Sequence, residues 1–173
     1  MNAGRWRAAR AVTWSIRKPI EAPVDGRQSE TALAIARGTS RLLHAHGFAV
    51  VSELSLASGR RADLVAINSS CEIWIVEIKS SVADFRADQK WMDYRVHCDR
   101  LFFATCQEVP CEIFPPDTGL IVADAFGASI VCEAPEHRLP APTRKSMMLA
   151  FARVAALRLQ ALADPHGPYG EAV

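Results

Sequence analysis

The stretch ADLVAINSSCEIWIVEIKSS, residues 62–81, holds two strand signals and an anomaly. Ala62–Ile67 and Cys71–Lys79 are rich in aliphatic and β-branched residues, and Asn68, Ser69 and Ser70 between them supply turn chemistry. Two strands joined by so short a turn pair antiparallel. The anomaly lies at the open end of this hairpin. Asp63 interrupts an apolar strand, and the run Ile73–Val76 passes straight into Glu77, Ile78 and Lys79. Side chains alternate faces along a strand, so Glu77 and Lys79 share one face and Ile78 takes the other.

Working outward, Glu30–His46 has the apolar spacing of a helix (Ala32, Leu33, Ile35, Ala36, Leu42, Leu43) and is closed by Gly47. FAVVSEL, residues 48–54, predicts a strand, and ASGRR a turn into Ala62. Downstream the pattern predicts a helix over Asp84–Val96, then strands in DRLFFAT, GLIVAD and ASIVCEA. A long closing helix over Thr143–Ala163 carries an apolar stripe at Met148, Phe151, Ala155, Leu159 and Leu162. The first three strands form an antiparallel meander, and the helix after the third is a crossover to a strand parallel to it. The expected fold is an α/β sandwich, a central mixed β-sheet flanked by helices. One domain over residues 28–165 is expected, after a basic tail (1–27) and before a frayed end (166–173).

Composition narrows the function classes. Of the 173 residues, 50% are hydrophobic and 23% charged, which is globular rather than disordered. The basic N-terminus is followed by no apolar stretch of signal-peptide length, and the segment 147–162 carries Arg153 and Arg158, so a cytoplasmic protein with no membrane span is expected. Five cysteines (Cys71, Cys98, Cys106, Cys111, Cys132) include no CxxC pair, so buried reduced thiols are expected in place of disulfides or zinc. Net charge is +1, yet Arg5, Arg7, Arg10, Arg17 and Lys18 fall in the first twenty residues without an acid, leaving the remainder near −4. Such an arm suits a phosphate backbone, and suits equally a solvated leader.

In the meander Asp63 and Glu77 lie on adjacent strands and can converge with Lys79. Hard cations take oxygen ligands, and Mg²⁺ is held by one or two carboxylates plus waters. Asp63, Glu77 and the backbone carbonyl of Ile78 are therefore candidate ligands, with the Lys79 ammonium placed to orient water or stabilise phosphate charge. A Glu-x-Lys tripeptide by itself arises by chance roughly once in every couple of chains this size. Its context carries the signal: a β-rich run before it and an acid one hairpin upstream. The alternative reading is a Glu77–Lys79 salt bridge at a strand end, with Asp63 as a turn acid.

This order of helix, strand, Asp-bearing strand, Glu-x-Lys strand and helix resembles the PD-(D/E)XK nuclease superfamily, the restriction-endonuclease-like fold. Its motif falls on Asp63 and on Glu77-Ile78-Lys79, with Ala62 where a proline often precedes the first acid. Many members carry an acid in the first helix, which places Glu30, although Glu30 equally stabilises a helix N-terminus. The stretch from about Ser29 to Ala163, and ADLVAINSSCEIWIVEIKSSVADFRADQKWMDYRVHCDRLFFAT within it, looks like the MmcB family of bacterial DNA-repair proteins. The resemblance implies a Mg²⁺- or Mn²⁺-dependent DNA nuclease in repair, acting on duplex, branched or damaged DNA, with repair-protein partners or a homodimer. The alternative is a DNA- or protein-binding module that keeps the fold. Gln89, in line with Phe85, Met92 and Val96 on the crossover helix, is expected to face the active site, or else to be a buried amide satisfied locally. Arg60, Arg61, Arg86 and Lys90 are the candidate phosphate contacts.

Overall fold

The computed structural model describes residues 29–88 and 90–166. The expectations for residues 1–27, for Gln89 and for the closing residues after 166 lie outside the described residues. Helix α1 (Glu30–Ala45) starts where the Ser29 hydroxyl accepts from the Ala32 amide at 3.1 Å, and ends before Gly47, whose φ of 82° suits only glycine well. Strands β1 (Ala49–Ser55), β2 (Arg61–Ile67) and β3 (Ile73–Lys79) follow as the antiparallel meander. Two short helices, α2 (Val82–Ala87) and α3 (Met92–Arg95), cross over to β4 (Arg100–Thr105), which is parallel to β3. A 3₁₀ turn (Cys111–Ile113), β5 (Gly119–Ala123), β6 (Ala128–Cys132) and α4 (Ala141–Ala163) complete the chain. The six strands lie in sequence order, with β4–β5 parallel and β5–β6 antiparallel. This is the expected mixed sheet with helices on its faces.

All seven residues of β3 are buried, because the strand is covered on both sides. On one side α1 lays Ile35 and Leu43 over Leu64, Ala66, Val76, Ile78 and Phe102. Trp74 sits at the centre of that layer between Phe48 and Phe102, with ring centroids 4.4 and 4.7 Å away. α1 then rides on the β5–β6 hairpin so closely that a Cβ at Gly38 would stand 2.2 Å from the Asp124 carbonyl oxygen. On the other side α4 packs Met147 and Val154 over Val51, Val65, Ile73 and Ile75. Phe85 of α2, Trp91, Phe114 and Val109 cover Phe103 and Leu120 beside it.

Asp99, just before β4, ties this second layer down. Its buried carboxylate accepts from the Ile73 amide (2.8 Å), the Leu139 amide (3.0 Å) and both Arg144 nitrogens (2.6 and 2.7 Å). Burial opposes its charge, but these donors outweigh burial and hold its pKa below the usual value.

Four expectations need correction. The single helix over Asp84–Val96 is two, because Asp88 leaves helical geometry (φ −94°, ψ 91°) and turns its carboxylate to Lys79 and to the Lys90 amide. Met92 and Val96, expected to pack on the sheet, are 62% and 64% exposed. The α4 stripe is shifted: Phe151 and Ala155 do pack inward, but with Met147 and Val154, while Met148, Leu159 and Leu162 face outward. Of the cysteines, all free, only Cys98 is buried, and Cys111 and Cys132 are exposed.

Asp99→Ala is expected to destabilise the domain by about 3 kcal/mol or more, because it strands a guanidinium and two amides. Urea denaturation of the variant against the wild type measures it, and a loss under about 1 kcal/mol would refute the tethering role.

Candidate active site

The β2–β3 ladder runs from Ile67 opposite Ile73 to Leu64 opposite Val76, and there it stops. Beyond that point the two strands exchange side chain for backbone. The Asp63 amide donates to Glu77 Oε1 at 3.3 Å, and the Ile78 amide donates to Asp63 Oδ2 at 2.8 Å. The β1–β2 register likewise passes over Glu53 and Asp63. Glu53 has a φ of 52°, unusual for a non-glycine, and the strands roll over here. Leu64 packs on the α1 side, whereas Ala62 and Leu54 pack on the α4 side. Arg158 of α4 spans the irregularity by donating to the Ser52 carbonyl at 2.6 Å and the Glu53 carbonyl at 3.4 Å.

Lys79 lies two residues beyond Glu77, on the same face. Its Nζ is 2.6 Å from Asp88 Oδ2, and its side chain is only 6% exposed. The crossover that brings Asp88 here is anchored by Ser80, whose amide and hydroxyl donate to Asp84 at 3.0 and 3.3 Å. The Tyr94 hydroxyl donates to the Arg61 carbonyl at 3.3 Å. Asp63, Glu77 and Lys79, with Ser80, Asp84, Asp88 and Tyr94, line a cleft of about 540 Å³ at the C-terminal end of β3, between the start of α1 and the crossover.

Burial, then the negative neighbour Asp63, pushes the Glu77 carboxyl well above its usual pKa. Burial likewise raises Asp63 to about 6, against the lowering pull of the Ile78 amide and Lys79. For Lys79 burial disfavours the ammonium, yet the hydrogen bond and charge of Asp88 outweigh it, and the pKa rises. Asp88 moves the opposite way: burial opposes its charge, but Lys79 and the Lys90 amide hold it low. Tyr94 is raised, by burial first and then by Glu77. Two adjacent carboxylates thus bear charge only reluctantly while the nearest ammonium is engaged by a third.

A hard divalent cation would relieve that arrangement, and the donor set suits one. Asp63 and Glu77 offer oxygens, and the Ile78 N–H points toward β2, so its carbonyl lies along the same strand edge. Among the described residues no group of three or more His, Cys, Asp or Glu is arranged to hold a metal. Two carboxylates with waters completing the shell is the Mg²⁺ pattern.

The cleft therefore gathers Asp63, Glu77, Ile78 and Lys79. Glu30 is exposed in the first turn of α1, beside Ser29 and Ala32, which do line the cleft. Arg60 pairs with Asp93 at 2.9 Å and Arg61 with Glu53, both outside the cleft lining. Arg86 and Lys90 are exposed on the crossover. Sequence reasoning missed Asp84, Asp88 and Tyr94 as lining residues. Asp84 had a signal, the Ser81-x-x-Asp84 start of α2, whose Ser81 hydroxyl accepts from the Asp84 amide at 3.1 Å. Asp88 and Tyr94 had none, since an unbroken helix sends Tyr94 away from the sheet.

A family model described as DNA repair protein MmcB-like matches residues 20–166. Among curated proteins none matches the chain. A solved structure of a protein of unknown function from Silicibacter pomeroyi is 47% identical, with a TM-score of 0.78, over 80% of this chain and 95% of that one. A repair endonuclease from Pyrococcus abyssi is 15% identical, with a TM-score of 0.31, over 45% of this chain and 38% of its own, a likeness too slight to carry an argument.

The raised Asp63 pKa sets a pH dependence. The folded state holds this proton more tightly than the unfolded chain, so the group's contribution to stability is present below about 3.8 and is lost as pH rises through about 6. In the absence of divalent metal, Asp63→Asn is expected to gain stability over the wild type at pH 7.5, on the order of 2–3 kcal/mol, and little or nothing at pH 4. Thermal melts of both proteins in chelator at the two pH values test it. An equal difference at both would show that Asp63 carries no such burden.

Proposed function

Because the chain belongs to the MmcB-like family of DNA repair proteins, we propose that its cleft hydrolyses phosphodiester bonds in DNA, as a metal-dependent nuclease of the PD-(D/E)XK type. The observation that carries this reading is the paired exchange in which Asp63 and Glu77 each accept from the other strand's backbone. It holds a buried and a half-buried carboxylate side by side with a lysine on the same face, at a cost in stability that a purely structural role does not require.

Asp63, Glu77 and the Ile78 carbonyl would hold Mg²⁺ or Mn²⁺, which when bound lowers the pKa of water and offsets phosphate charge. The protein supplies the rest. The amides of Asp63 and Ile78 fix the two carboxylates, so their free oxygens are aimed before substrate arrives. Lys79 brings a fixed positive charge to the wall of the cleft, where it orients the attacking water or stabilises the charge that develops on the phosphate. Its hold on Asp88 keeps it protonated and sets its direction. Glu30 stands at the mouth as a further acid, and Gln89 belongs to the set the family resemblance implies. Arg60, Arg61, Arg86 and Lys90 are the proposed phosphate contacts. Arg60 and Arg61 must first release Asp93 and Glu53, so affinity for duplex DNA is modest and falls with salt.

One observation favours a second reading, a DNA- or protein-binding module without catalysis. The Lys79 ammonium is already engaged by Asp88 at 2.6 Å.

The two readings separate by experiment. A catalytic cleft predicts Mg²⁺- or Mn²⁺-dependent nicking of plasmid or branched DNA and a metal-induced rise in melting temperature. Asp63→Ala and Glu77→Ala abolish both. Lys79→Ala keeps the melting response, since an ammonium is not a ligand, and lowers cleavage on the order of 100-fold or more. Wild-type protein that neither responds to metal nor cuts any substrate would leave the binding module.

A further inference from the structure

Helix α4 is apolar on two opposite faces, and the sheet uses only one. Its inner face, with Met147, Phe151 and Val154, is packed on β1–β3, and Arg144 and Arg158 reach from it into the sheet. The outer face presents Lys145, Leu149, Ala152, Ala156, Leu159 and Ala163, every one exposed. Leu149 and Leu159 are each 59% exposed. An apolar strip of this length left open on a helix marks an interaction surface.

The spacing suits a helical partner. These six positions step by four, three, four, three and four residues, the seam of a coiled coil. The spacing of the seam is symmetric about its centre, and its inner four residues read the same from either end. About Val154, Leu149 mirrors Leu159, Ala152 mirrors Ala156, and Lys145 mirrors Ala163. In an isologous antiparallel contact residue i meets residue j while j meets i, so this symmetry sets leucine against leucine and alanine against alanine at the inner four positions. Charge agrees with an antiparallel arrangement. α4 has no acid in its first turn and no base in its last, so its own terminal turns compensate neither end of its dipole. Antiparallel pairing sets Lys145 beside the carbonyl end of the partner's helix. The alanines at the centre let the axes approach to about 8 Å.

We propose that α4 pairs with α4 of a second copy of this chain in an antiparallel two-helix seam, Leu149 against the partner's Leu159 and Ala152 against the partner's Ala156. By length and composition α4 could also cross a membrane. Its inner face is committed to the sheet through two arginines, and that favours a protein surface over a lipid one.

Sedimentation of the full chain from low to high micromolar concentration tests the seam. The wild type is expected at twice the chain mass. Leu149→Glu, and separately Ala156→Arg, are expected at the chain mass with an unchanged circular dichroism spectrum, since both positions are exposed. Orientation is read by mixing Ala152→Cys and Ala156→Cys chains in a background with Cys111 and Cys132 changed to Ser. Antiparallel pairing gives the mixed disulfide in preference to either symmetric one. A wild type that stays at the chain mass throughout, a dimer that survives both charged substitutions, or a preference for symmetric disulfides would each overturn the proposal. So would a monomer that floats with phosphatidylglycerol vesicles, which would assign the face to a membrane surface.

Discussion

A strand buried on both faces that ends in an acid and a base is the constraint around which the molecule is arranged. Glu77 and Lys79 are 3% and 5% exposed, and an ionised group in such a place must be paired, hydrogen-bonded or neutralised. The surroundings answer each demand separately. β2 gives up its ladder at Asp63 so that an amide reaches Glu77. The crossover gives up helical geometry at Asp88 so that a carboxylate reaches Lys79. β1 accepts a left-handed residue at Glu53 and takes a guanidinium from α4 to hold it. Two of these departures, at Asp63 and at Asp88, bring hydrogen-bond partners to those two side chains.

Much of this was legible in the residues. β3 announces itself by length and β-branching, and the short turns on either side of β2 fix the meander. With two neighbouring strands antiparallel, Asp63 and Glu77 have to meet at the same end of the sheet, so the core of the candidate site follows from pattern alone. The crossover is where the sequence misled. Asp84 to Val96 has an acceptable helical period, and nothing local shows that Asp88 leaves the helix. What moves it is an ammonium nine residues earlier, a tertiary demand that propensity does not see. Breaking the helix then turns Tyr94 inward and Met92 and Val96 outward, reversing the expected faces.

α4 was misread for a different reason. It is apolar nearly all round, so a single stripe drawn through it mixes residues of both faces. Only the sheet, by taking Met147, Phe151 and Val154, shows that a second periodic set remains. Asp99 gave no signal at all. A lone acid before a strand reads as a turn residue, and its four donors come from segments up to 45 residues away in sequence. Arg60 and Arg61 were seen as cations but not as partners of Asp93 and Glu53, because composition shows neither a pairing across 33 residues of chain nor one across the β1–β2 hairpin.

The two ends of β3 carry different responsibilities. The Ile73 end is gripped by Asp99 and, through it, by α4, while the Lys79 end opens into the cleft. Substitutions along one seven-residue strand should therefore fall into two kinds. Those at the gripped end loosen the anchorage between the sheet and α4. Those at the open end leave that anchorage in place and change the charge of the cleft. The polarity of a single strand thus sorts the hold of one layer on another from the chemistry of the cleft.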